Sequence, residues 1–458
     1  MPARHGWCRR REDISKLHGW RMYCHWTCQG DEPKLRAMEC IIIGAGVAGL
    51  TQAWMLARDG WRVTVVDAAR GAGRGASFAN GGQLSYGFVA PLATPAVLAR
   101  LPGWLLDPDA PVRFRPRLDP AQWRWILGFL SACTERQSRT TTLRLLALAA
   151  LSRQLLHAMM EEECFAFDHA RRGKLVIHTQ EAGIAEARAQ LLVQAGHGPQ
   201  QEVLDAAGCF AAEPALRIAE PNLVGGILTP DEESGDCHAF CVGLAAALER
   251  RHGVRFLWAT RVQHLIATNG RVLAAMADDG PLEADAYVVA AGAEVAPLLA
   301  GIGLDAPLQP LKGYSLTVPV TEARAAPRMS VTDASRKIVY ARIGDRLRIA
   351  GMADLAGSDH QLAPRRLSRL TADARTLFPR ASDWSRLSPW SGLRAATPTS
   401  APILGVAPGH ANLMLNLGLG ALGFTLAAGA ARLVADTLGC RATALPMAGF
   451  APADHGMV

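Results

Sequence analysis

The hydrophobic pattern at the start of the chain predicts a strand, a helix and a second strand. An apolar run at Cys40–Ile43 is followed by a glycine-rich turn, a helical pattern and a second apolar run at Arg62–Val66. Short apolar runs bounded by turn residues predict buried strands, and apolar positions at helical spacing predict an amphipathic helix. This order indicates a parallel strand–helix–strand unit, the building block of doubly wound sheets.

The middle of the chain has a different pattern. Helical periodicity and alternating, strand-like segments follow each other there, which predicts a second, largely antiparallel sheet with helices around it. The helices are expected at 122–163, 181–195 and 236–251, and the main strands at 173–178, 286–293, 314–320, 338–343 and 346–351. The C-terminal part returns to the first style, with a strand at 413–416, a glycine loop and a helix at 424–438.

A chain that opens and closes with strand–loop–helix units predicts interleaved domains. We assign residues 38–90, 232–300 and 391–458 to a Rossmann-like nucleotide-binding domain. Residues 91–231 and 301–390 are assigned to an α+β substrate domain with a mainly antiparallel sheet. The predicted fold class is therefore α/β, with a second domain inserted into the first.

Composition and charge exclude several classes of function. Half of the 458 residues are hydrophobic and 19% are charged, which suits a large core and argues against disorder. Residues 1–37 hold eight basic and four acidic residues, so they carry +4 of the net charge of +7. A basic excess confined to one end does not indicate nucleic-acid binding. These 37 residues form an extension that is either a basic arm or the product of a start assigned upstream of Met38.

Cysteine usage and hydropathy indicate the cellular compartment of the protein. The ten cysteines are scattered without a C-x-x-C pair, which favours reduced thiols in the cytoplasm. Cys24, His25 and Cys28 have no second ligand pair, so no metal site is predicted. No uninterrupted apolar stretch is long enough to span a membrane. The Trp-rich segment 122–130 is amphipathic and suits either a membrane interface or a core helix.

The glycine-rich turn has the spacing of a dinucleotide-binding fingerprint. Gly44 permits the tight turn, Gly46 lets the backbone approach a pyrophosphate, and Gly49 allows close packing of helix and sheet. The helix N-terminus offers free N–H groups to the phosphates. Asp67 follows the second strand, where an acid can accept hydrogen bonds from a ribose. The motif alone does not distinguish FAD from NAD.

Three further segments join this fingerprint: Ser77–Ser85, Ala291–Ala293 and the glycine loop 418–423. Together with five short sequence motifs, these segments resemble the FAD-dependent D-amino-acid dehydrogenases of the bacterial small-subunit type, within the D-amino-acid oxidase and glycine oxidase superfamily. The five motifs are Pro230–Cys237, Leu311–Thr317, Gly351–Ala353, Leu377–Arg380 and Trp390–Arg394. The resemblance covers about residues 38–446.

The resemblance implies FAD as cofactor and a FAD-binding domain of the glutathione-reductase type. It places the flavin along Ser77, Asn80, Gly81 and Gln83, the adenine at Val262 and the dinucleotide beside Gly292. The C-terminal helix would aim its N-terminus at the flavin. The cofactor-binding residues expected overall are Cys40, Ile41, Ile42, Ile43, Gly44, Ala45, Gly46, Val47, Ala48, Gly49, Leu50, Asp67, Ser77, Asn80, Gly81, Gln83, Val262, Gly292, Gly418, Gly420 and Gly423.

The resemblance also implies the reaction. Arg394 would bind the carboxylate of a D-amino acid, and Tyr314 is a second candidate for the substrate pocket. The expected activity is oxidation of D-amino acids to 2-oxo acids and ammonia, with electrons passed to a quinone or respiratory acceptor. The location would be cytoplasmic, with peripheral contact at the inner membrane. The alternatives are an oxidase of glycine, sarcosine, proline or hydroxyproline that uses oxygen, and a flavoprotein without turnover.

The chain departs from the family pattern at three places, one of which is the flavin-side loop, where Gly82 and Tyr86 vary. At the second place, Leu419 replaces the histidine of the family's Gly-His-Gly motif. At the third, residues 395–399 replace a segment that in the family contains proline and an acidic residue. These changes bear on substrate choice and flavin tuning and leave flavin binding unaffected.

Overall fold

The computed structural model describes residues 37–107 and 109–457, so the predictions for residues 1–36 lie outside the described part. The helices are α1 (Val47–Arg58), α2 (Pro95–Leu106), α3 (Pro120–Ala132), α4 (Glu135–Glu163), α5 (Glu181–Gln194), α6 (Ala206–Ala212), α7 (Cys237–His252), α8 (Ala296–Ala300), α9 (Pro364–Leu377) and α10 (Gly423–Leu438). The strands are β1 (Glu39–Ile43), β2 (Arg62–Val66), β3 (Gln83–Leu84), β4 (Val112–Phe114), β5 (Lys174–His178), β6 (Glu202–Leu204), β7 (Gly225–Thr229), β8 (Glu233–Ser234), β9 (Arg255–Leu257), β10 (Val262–Thr268), β11 (Arg271–Ala277), β12 (Gly280–Leu282), β13 (Ala286–Val289), β14 (Gln309–Pro319), β15 (Ser330–Asp333), β16 (Ile338–Ile343), β17 (Arg346–Leu355), β18 (Ser388–Ala396), β19 (Ile403–Val406) and β20 (Leu413–Leu417).

The first sheet has the order β19-β20-β13-β1-β2-β9. Its strands run parallel except β19, which pairs antiparallel with β20. The central strand β1 is buried on both faces, which explains its continuous apolar run. Because the strands are parallel, the carboxyl ends of β1, β2, β13 and β20 meet at one edge, where ligands bind in such sheets.

Helices cover one face of this sheet, and a small sheet covers the other. The residues of α1, α4, α7 and α10 share one hydrophobic core with the first face of the sheet. The three-stranded sheet β10-β11-β12 and α8 contribute to the core on the opposite face. The sheet is therefore a middle layer, and only its edges remain open for a ligand.

The second sheet has the order β18-β14-β17-β16-β15-β5-β7-β6, with β4 beside β17. Most neighbours are antiparallel, and the exceptions are the parallel pairs β5–β15 and β4–β17. The predicted fold, a Rossmann-like domain combined with a second domain that has a mainly antiparallel sheet, is confirmed. The limits of the two domains along the chain remain a prediction.

Two sequence-based expectations need correction. The helical pattern over 122–163 forms two helices, because the chain breaks at Cys133 and Thr134 starts α4 as its N-cap, accepting a hydrogen bond from the Gln137 N–H at 3.2 Å. Residues 420–438 are long and apolar enough to span a membrane, although we expected no such segment. Within the protein, 67% of that helical window is buried, so it belongs to the core.

Candidate active site

The turn after β1 can be formed only by glycine. Gly44 has φ +110°, and a Cβ at this position would lie 2.6 Å from the carbonyl oxygen of Ala290 in the segment after β13. A Cβ on Gly49 would overlap the carbonyl oxygen of Gly44. Both glycines therefore allow close packing of β1, α1 and β13, as the sequence spacing predicted.

Polar groups organise the start of α1. Gly46 is the N-cap and offers no side chain, while Ser77 Oγ accepts a hydrogen bond from the Val47 N–H at 3.1 Å. The Asp67 carboxylate accepts hydrogen bonds from the Ala45 N–H at 2.6 Å and the Ala69 N–H at 2.7 Å. Asp67 therefore clamps the glycine turn to the end of β2 and stands at the ligand edge of the sheet.

The remaining residues predicted for the dinucleotide divide into two groups. Gly292, Gly418 and Gly420 follow β13 and β20 with positive φ, and Gly423 begins α10. Val262 begins β10, close to Thr260, whose N–H donates to the Asp67 carbonyl. These residues surround the carboxyl edge of the first sheet. The side chains of the β1 residues Cys40, Ile41, Ile42 and Ile43 and of Ala45, Val47 and Leu50 are buried in the core instead, and Ala48 packs against it.

The space beside this edge fits a dinucleotide. Within the described residues and apart from its chain neighbours, no atom lies within 4 Å of a Cβ placed on Gly292, and a Cβ placed on Gly46 meets Ser77 Oγ alone, at 3.5 Å. The backbone on that side is therefore free to approach a ligand closely. Together with the open N-terminus of α1 and the Asp67 carboxylate, the residues present suit a pyrophosphate and a ribose.

The loop from Ser77 to Ser85 lies against the second sheet. Arg348 Nη1 donates to the Asn80 carbonyl at 2.9 Å, and Ser315 Oγ donates to the Ala79 carbonyl at 2.7 Å. A Cβ on Gly81 would lie 2.9 Å from Val339 Cγ2, so the loop follows the sheet at the closest possible distance. The predicted flavin-side residues are thus brought to the region between the two sheets.

A buried lysine that the sequence analysis missed supports this loop. Lys174 is only 1% exposed, and its Nζ donates to Gln83 Oε1 at 3.1 Å and Ser85 Oγ at 2.9 Å. Burial lowers the pKa of Lys174 to about 8, opposed by the nearby charge of Glu232. Glu232 Oε1 accepts from the Gly87 N–H at 2.6 Å, and burial raises the pKa of this carboxyl group. No local pattern could reveal this contact, because a lysine in a strand is usually exposed.

Arg394 lies on β18 and points over the neighbouring strand. Its guanidinium rests on Gly313 of β14, and Nη1 donates to the carbonyl of Met352 at 3.0 Å. Among residues 37–107 and 109–457, no carboxylate forms an ion pair with it. Burial lowers the pKa of Arg394, so the site disfavours the charge that this side chain carries. The guanidinium keeps unused N–H donors, which suits an anionic ligand.

Tyr314 lies on the opposite face of the same strand pair. Leu311 pairs with Arg394 and Gly313 with Gly392, so alternation puts Tyr314 on the other side of the sheet. Tyr314 is 1% exposed and donates a hydrogen bond to Asp354 Oδ2 at 3.0 Å. The structure therefore separates the two predicted substrate residues and places Tyr314 in the core.

Helix α3 covers the face that carries Arg394. Trp125 of α3 packs against Leu311, Leu355 and Ala396, and its Nε1 donates to the Ala396 carbonyl at 2.8 Å. The region around Arg394 is thus enclosed by the second sheet, by α3 and by the loop 77–85. The guanidinium of Arg394 therefore lies in the same region as the predicted flavin loop.

Two groups of side chains in the described ranges have donor atoms close enough for a metal ion. They are His157, His169 and Glu233, and Glu162, Glu163 and His252. Arginines already approach the buried carboxylates: Arg153 and Arg171 lie 3.5 Å from Glu233, and Arg251 lies 2.9 Å from Glu163. These guanidinium charges oppose a cation, so we assign no metal to either group.

Comparison with known proteins agrees with this geometry. The family described as FAD dependent oxidoreductase (DAO) matches residues 39–437. D-amino acid dehydrogenase 2 of Pseudomonas aeruginosa is 49% identical over 417 residues, covering 91% of this chain and 98% of that protein. D-amino acid dehydrogenase 2 of Ralstonia nicotianae is 47% identical over 423 residues, covering 90% of this chain and 99% of that protein.

A solved structure shows the same fold at lower identity. Glycine oxidase from Geobacillus kaustophilus superposes with a TM-score of 0.72 and 21% identity, over 91% of this chain and 98% of that one. This similarity shows that the two proteins share a fold. The chain therefore belongs to the DAO family of FAD-dependent oxidoreductases, and its cofactor is FAD.

Proposed function

We propose that this protein is a D-amino-acid dehydrogenase that converts D-amino acids to 2-oxo acids and ammonia. The single observation that carries the proposal is Arg394, a guanidinium in the space between the flavin loop and the second sheet that has no carboxylate partner among the described residues. The high identity to proteins named D-amino acid dehydrogenase supports the D configuration and the dehydrogenase activity.

In this proposal the first sheet holds the cofactor. Gly44, Gly46 and the N-terminus of α1 receive the pyrophosphate, and Asp67 receives the adenosine ribose. Asn80, Gly81 and Gln83 line the flavin, with Lys174 and Arg348 fixing their positions. When bound, FAD supplies the acceptor for the hydride from the substrate Cα.

The start of α10 supports the flavin end of the site. Gly418 and Gly420 have positive φ, and the turn they form leads directly into α10 at Gly423. The partial positive charge at this helix N-terminus stabilises negative charge that develops nearby. Leu419, in place of a histidine, forms an antiparallel backbone β-bridge with Ala396, which holds the turn against β18.

Substrate binding and orientation fall to Arg394. Its planar guanidinium can form two parallel hydrogen bonds with a carboxylate, which fixes the Cα hydrogen relative to the flavin. The neutral amine of the substrate needs no protein base for hydride transfer. Tyr314 has no part in this arrangement, because it lies on the other face of the sheet and its hydroxyl is bound to Asp354. Hydrolysis of the imine product then yields the 2-oxo acid and ammonia.

The electron acceptor in our proposal is a membrane quinone or another respiratory carrier, and the location is the cytoplasm with peripheral contact at the inner membrane. The outer face of α3 supports this contact, because Trp123, Leu127 and Leu130 are exposed there, Leu127 to 66%. Exposed Arg115 and Arg117 precede the helix and would meet anionic headgroups.

The test of the reaction is anaerobic. The purified protein should be yellow, release FAD on denaturation, and lose its flavin absorbance when D-alanine is added without oxygen. Reoxidation by a soluble quinone without formation of peroxide supports the dehydrogenase. Stoichiometric peroxide in air with glycine, sarcosine or proline as the better substrate would favour an oxidase instead.

The membrane contact has its own test. Protein bound to vesicles that contain anionic lipid should be released by high salt, because the attraction depends on Arg115 and Arg117. Replacing Trp123 and Leu127 by serine should abolish binding, while exchange of the exposed Leu192 on α5 should not. Binding that resists salt and persists in the Trp123/Leu127 variant would contradict the proposal.

A further inference from the structure

We propose that Gly313 and Gly392 form the floor on which Arg394 and Trp390 lie in the substrate site, and that Trp390 is the apolar wall that selects the substrate side chain. This inference rests on the proposed function and extends it from the carboxylate to the rest of the substrate. It assigns positioning roles to the two glycines and a specificity role to the tryptophan. The substrate class that it predicts is D-amino acids with bulky apolar side chains.

The two glycines face each other across the ladder between β14 and β18. Gly313 is paired directly with Gly392. Directly opposed residues in an antiparallel pair have Cα atoms about 4.5–5.5 Å apart. With hydrogen in place of a side chain on both, this part of the sheet presents bare backbone to the space that holds Arg394.

Arg394 uses the bare backbone of Gly313. A Cβ on Gly313 would lie 2.5 Å from Arg394 Cζ and 2.7 Å from Nη1, which is closer than any real contact. The guanidinium therefore lies flat on the strand. An alanine at this position would lift it away from the sheet, because the neighbouring backbone cannot yield.

Trp390 uses the bare backbone of Gly392 in the same manner. A Cβ on Gly392 would lie 2.5 Å from Cζ2 of the Trp390 indole. Trp390, Gly392 and Arg394 are alternate residues of β18, so all three face the same side of the sheet. The indole and the guanidinium consequently lie side by side over the glycine pair.

A β-bulge fixes the guanidinium from the third strand. The register between β14 and β17 shifts between Lys312 and Tyr314, so Met352 and Ala353 together oppose Gly313. Met352 adopts φ +63°, which is uncommon for a residue other than glycine. This conformation directs its carbonyl toward Arg394 Nη1 at 3.0 Å and leaves the remaining donors for a ligand.

The indole also faces the flavin loop. The ring centroid of Phe78 lies 6.5 Å from that of Trp390, and Phe78 belongs to the loop 77–85. A ligand whose carboxylate binds Arg394 has its Cα and side chain within a few ångström of this aromatic wall. An apolar side chain gains contact there, whereas a small side chain leaves the ring uncovered.

The first experiment tests the floor with a carboxylate that is not a substrate. Benzoate binding to the FAD-loaded protein is measured from the change in flavin absorbance. Gly313→Ala should weaken benzoate binding by roughly ten-fold or more, as expected when a charge-assisted hydrogen bond is displaced. Ser391→Ala, on the same strand but the other face, is the matched control and should bind benzoate like the parent. Equal benzoate affinity in Gly313→Ala and the parent would overturn the assignment of the floor.

The second experiment tests the wall by substrate selectivity. The ratio of kcat/KM for D-phenylalanine to kcat/KM for D-alanine should fall roughly 3- to 10-fold in Trp390→Ala, the range expected for loss of one aromatic contact. Trp390→Phe should restore most of the ratio, which a purely structural role would not require. An unchanged or increased ratio in Trp390→Ala would overturn the role of the wall.

The outcomes separate this inference from the proposed function. If no D-amino acid reduces the flavin in the parent protein, the proposed function fails, while benzoate binding still decides the role of Gly313. If D-amino acids are oxidised but benzoate affinity and selectivity stay at parental values in the variants, only the further inference fails.

Discussion

Two arginines on opposite faces of the second sheet, the buried Arg366 and the half-buried Arg394, have opposite surroundings. Arg366 of α9 is 1% exposed and forms an ion pair with Asp354, while its Nη1 donates to the Ala110 carbonyl at 2.7 Å. Asp354 also accepts hydrogen bonds from Tyr314 and, at 3.1 Å, from Arg113. Arg394 lies on β18, which is separated from Asp354 on β17 by β14, and within the described residues it forms one hydrogen bond, with a carbonyl group.

The difference shows how to distinguish a structural charge from a functional one. Removing a guanidinium from water is costly unless a carboxylate and further hydrogen bonds compensate. Arg366 and Tyr314 receive this compensation from Asp354 and, for Arg366, from the Ala110 carbonyl, so both stabilise the fold. Arg394 lacks the compensation within the described residues, and in our proposal an anionic substrate supplies it.

The largest expected effect concerns the unpaired arginine. Arg394→Ala should lower kcat/KM for the best D-amino acid by roughly two to three and a half orders of magnitude, equivalent to about 3–5 kcal/mol for a buried pair that loses one partner. The FAD content should stay at the parental level, and the free energy of unfolding should change by less than about 1 kcal/mol. Steady-state kinetics and thermal unfolding of the same preparation check both statements. Near-parental kcat/KM would show that the carboxylate is held elsewhere.

The paired arginine should show the reverse behaviour. Asp354→Asn leaves the charges of Arg366 and Arg113 without a carboxylate, so we expect a loss of about 3 kcal/mol in the free energy of unfolding. At a temperature where the variant is folded, its KM should remain close to that of the parent. A large increase in KM without a loss of stability would place Asp354 in the substrate site and contradict the comparison.

Much of this arrangement could be predicted from sequence, and the reasons for the rest are physical. The fingerprint at Gly44–Gly49 and Asp67 is local, and so is the alternation that identifies strands. The pairing of β14 with β18 is not local. Without that register, Tyr314 and Arg394 could not be assigned to opposite faces, which is why Tyr314 was a candidate for the substrate pocket.

Contacts between distant segments escaped the sequence analysis for the same reason. Lys174 reaches Gln83 across 91 positions of the chain, and Arg348 reaches Asn80 across 268. Neither Lys174 nor Arg348 belongs to a motif identified in the sequence. The helix break at Cys133 also went unnoticed, because residues 134–142 are polar residues that a helix tolerates and the N-cap Thr134 is a single-residue signal.

Glu233 is a second buried carboxylate with several hydrogen-bond partners, and it extends the comparison to the pH dependence of stability. Burial raises the pKa of Glu233, but hydrogen bonds from His169 and His157 outweigh this effect and lower the pKa to about 2. A carboxyl group with a lowered pKa in the folded state stabilises the protein above its unfolded pKa, and the contribution disappears as the pH falls through the folded value. The contribution of Glu233 to the free energy of unfolding should therefore be complete above about pH 4.5 and be lost toward pH 2.

The matched variant for this prediction is Glu233→Gln. At pH 6 it should be less stable than the parent by about 3 kcal/mol, and the difference should shrink as the pH approaches 2. Thermal midpoints of the two proteins between pH 6 and pH 3 measure the trend. A difference that does not depend on pH would show that Glu233 contributes by packing alone.

The smallest expected effect concerns the shape of the cation at position 394. Arg394→Lys keeps the charge but cannot form two parallel hydrogen bonds from one plane, so it should recover only roughly one order of magnitude of the activity lost in Arg394→Ala. Complete recovery in the kcat/KM of Arg394→Lys would mean that charge alone holds the substrate.

The most direct test of the central claim compares two amines that differ only by a carboxylate. D-alanine and propan-2-amine are added without oxygen to the FAD-loaded parent and to Arg394→Ala, and the loss of flavin absorbance is followed over time. The account predicts fast bleaching of the parent by D-alanine, little by propan-2-amine, and equally slow bleaching of Arg394→Ala by both. If Arg394→Ala still reacts much faster with D-alanine than with propan-2-amine, another group recognises the carboxylate and the unpaired charge of Arg394 is not the substrate anchor.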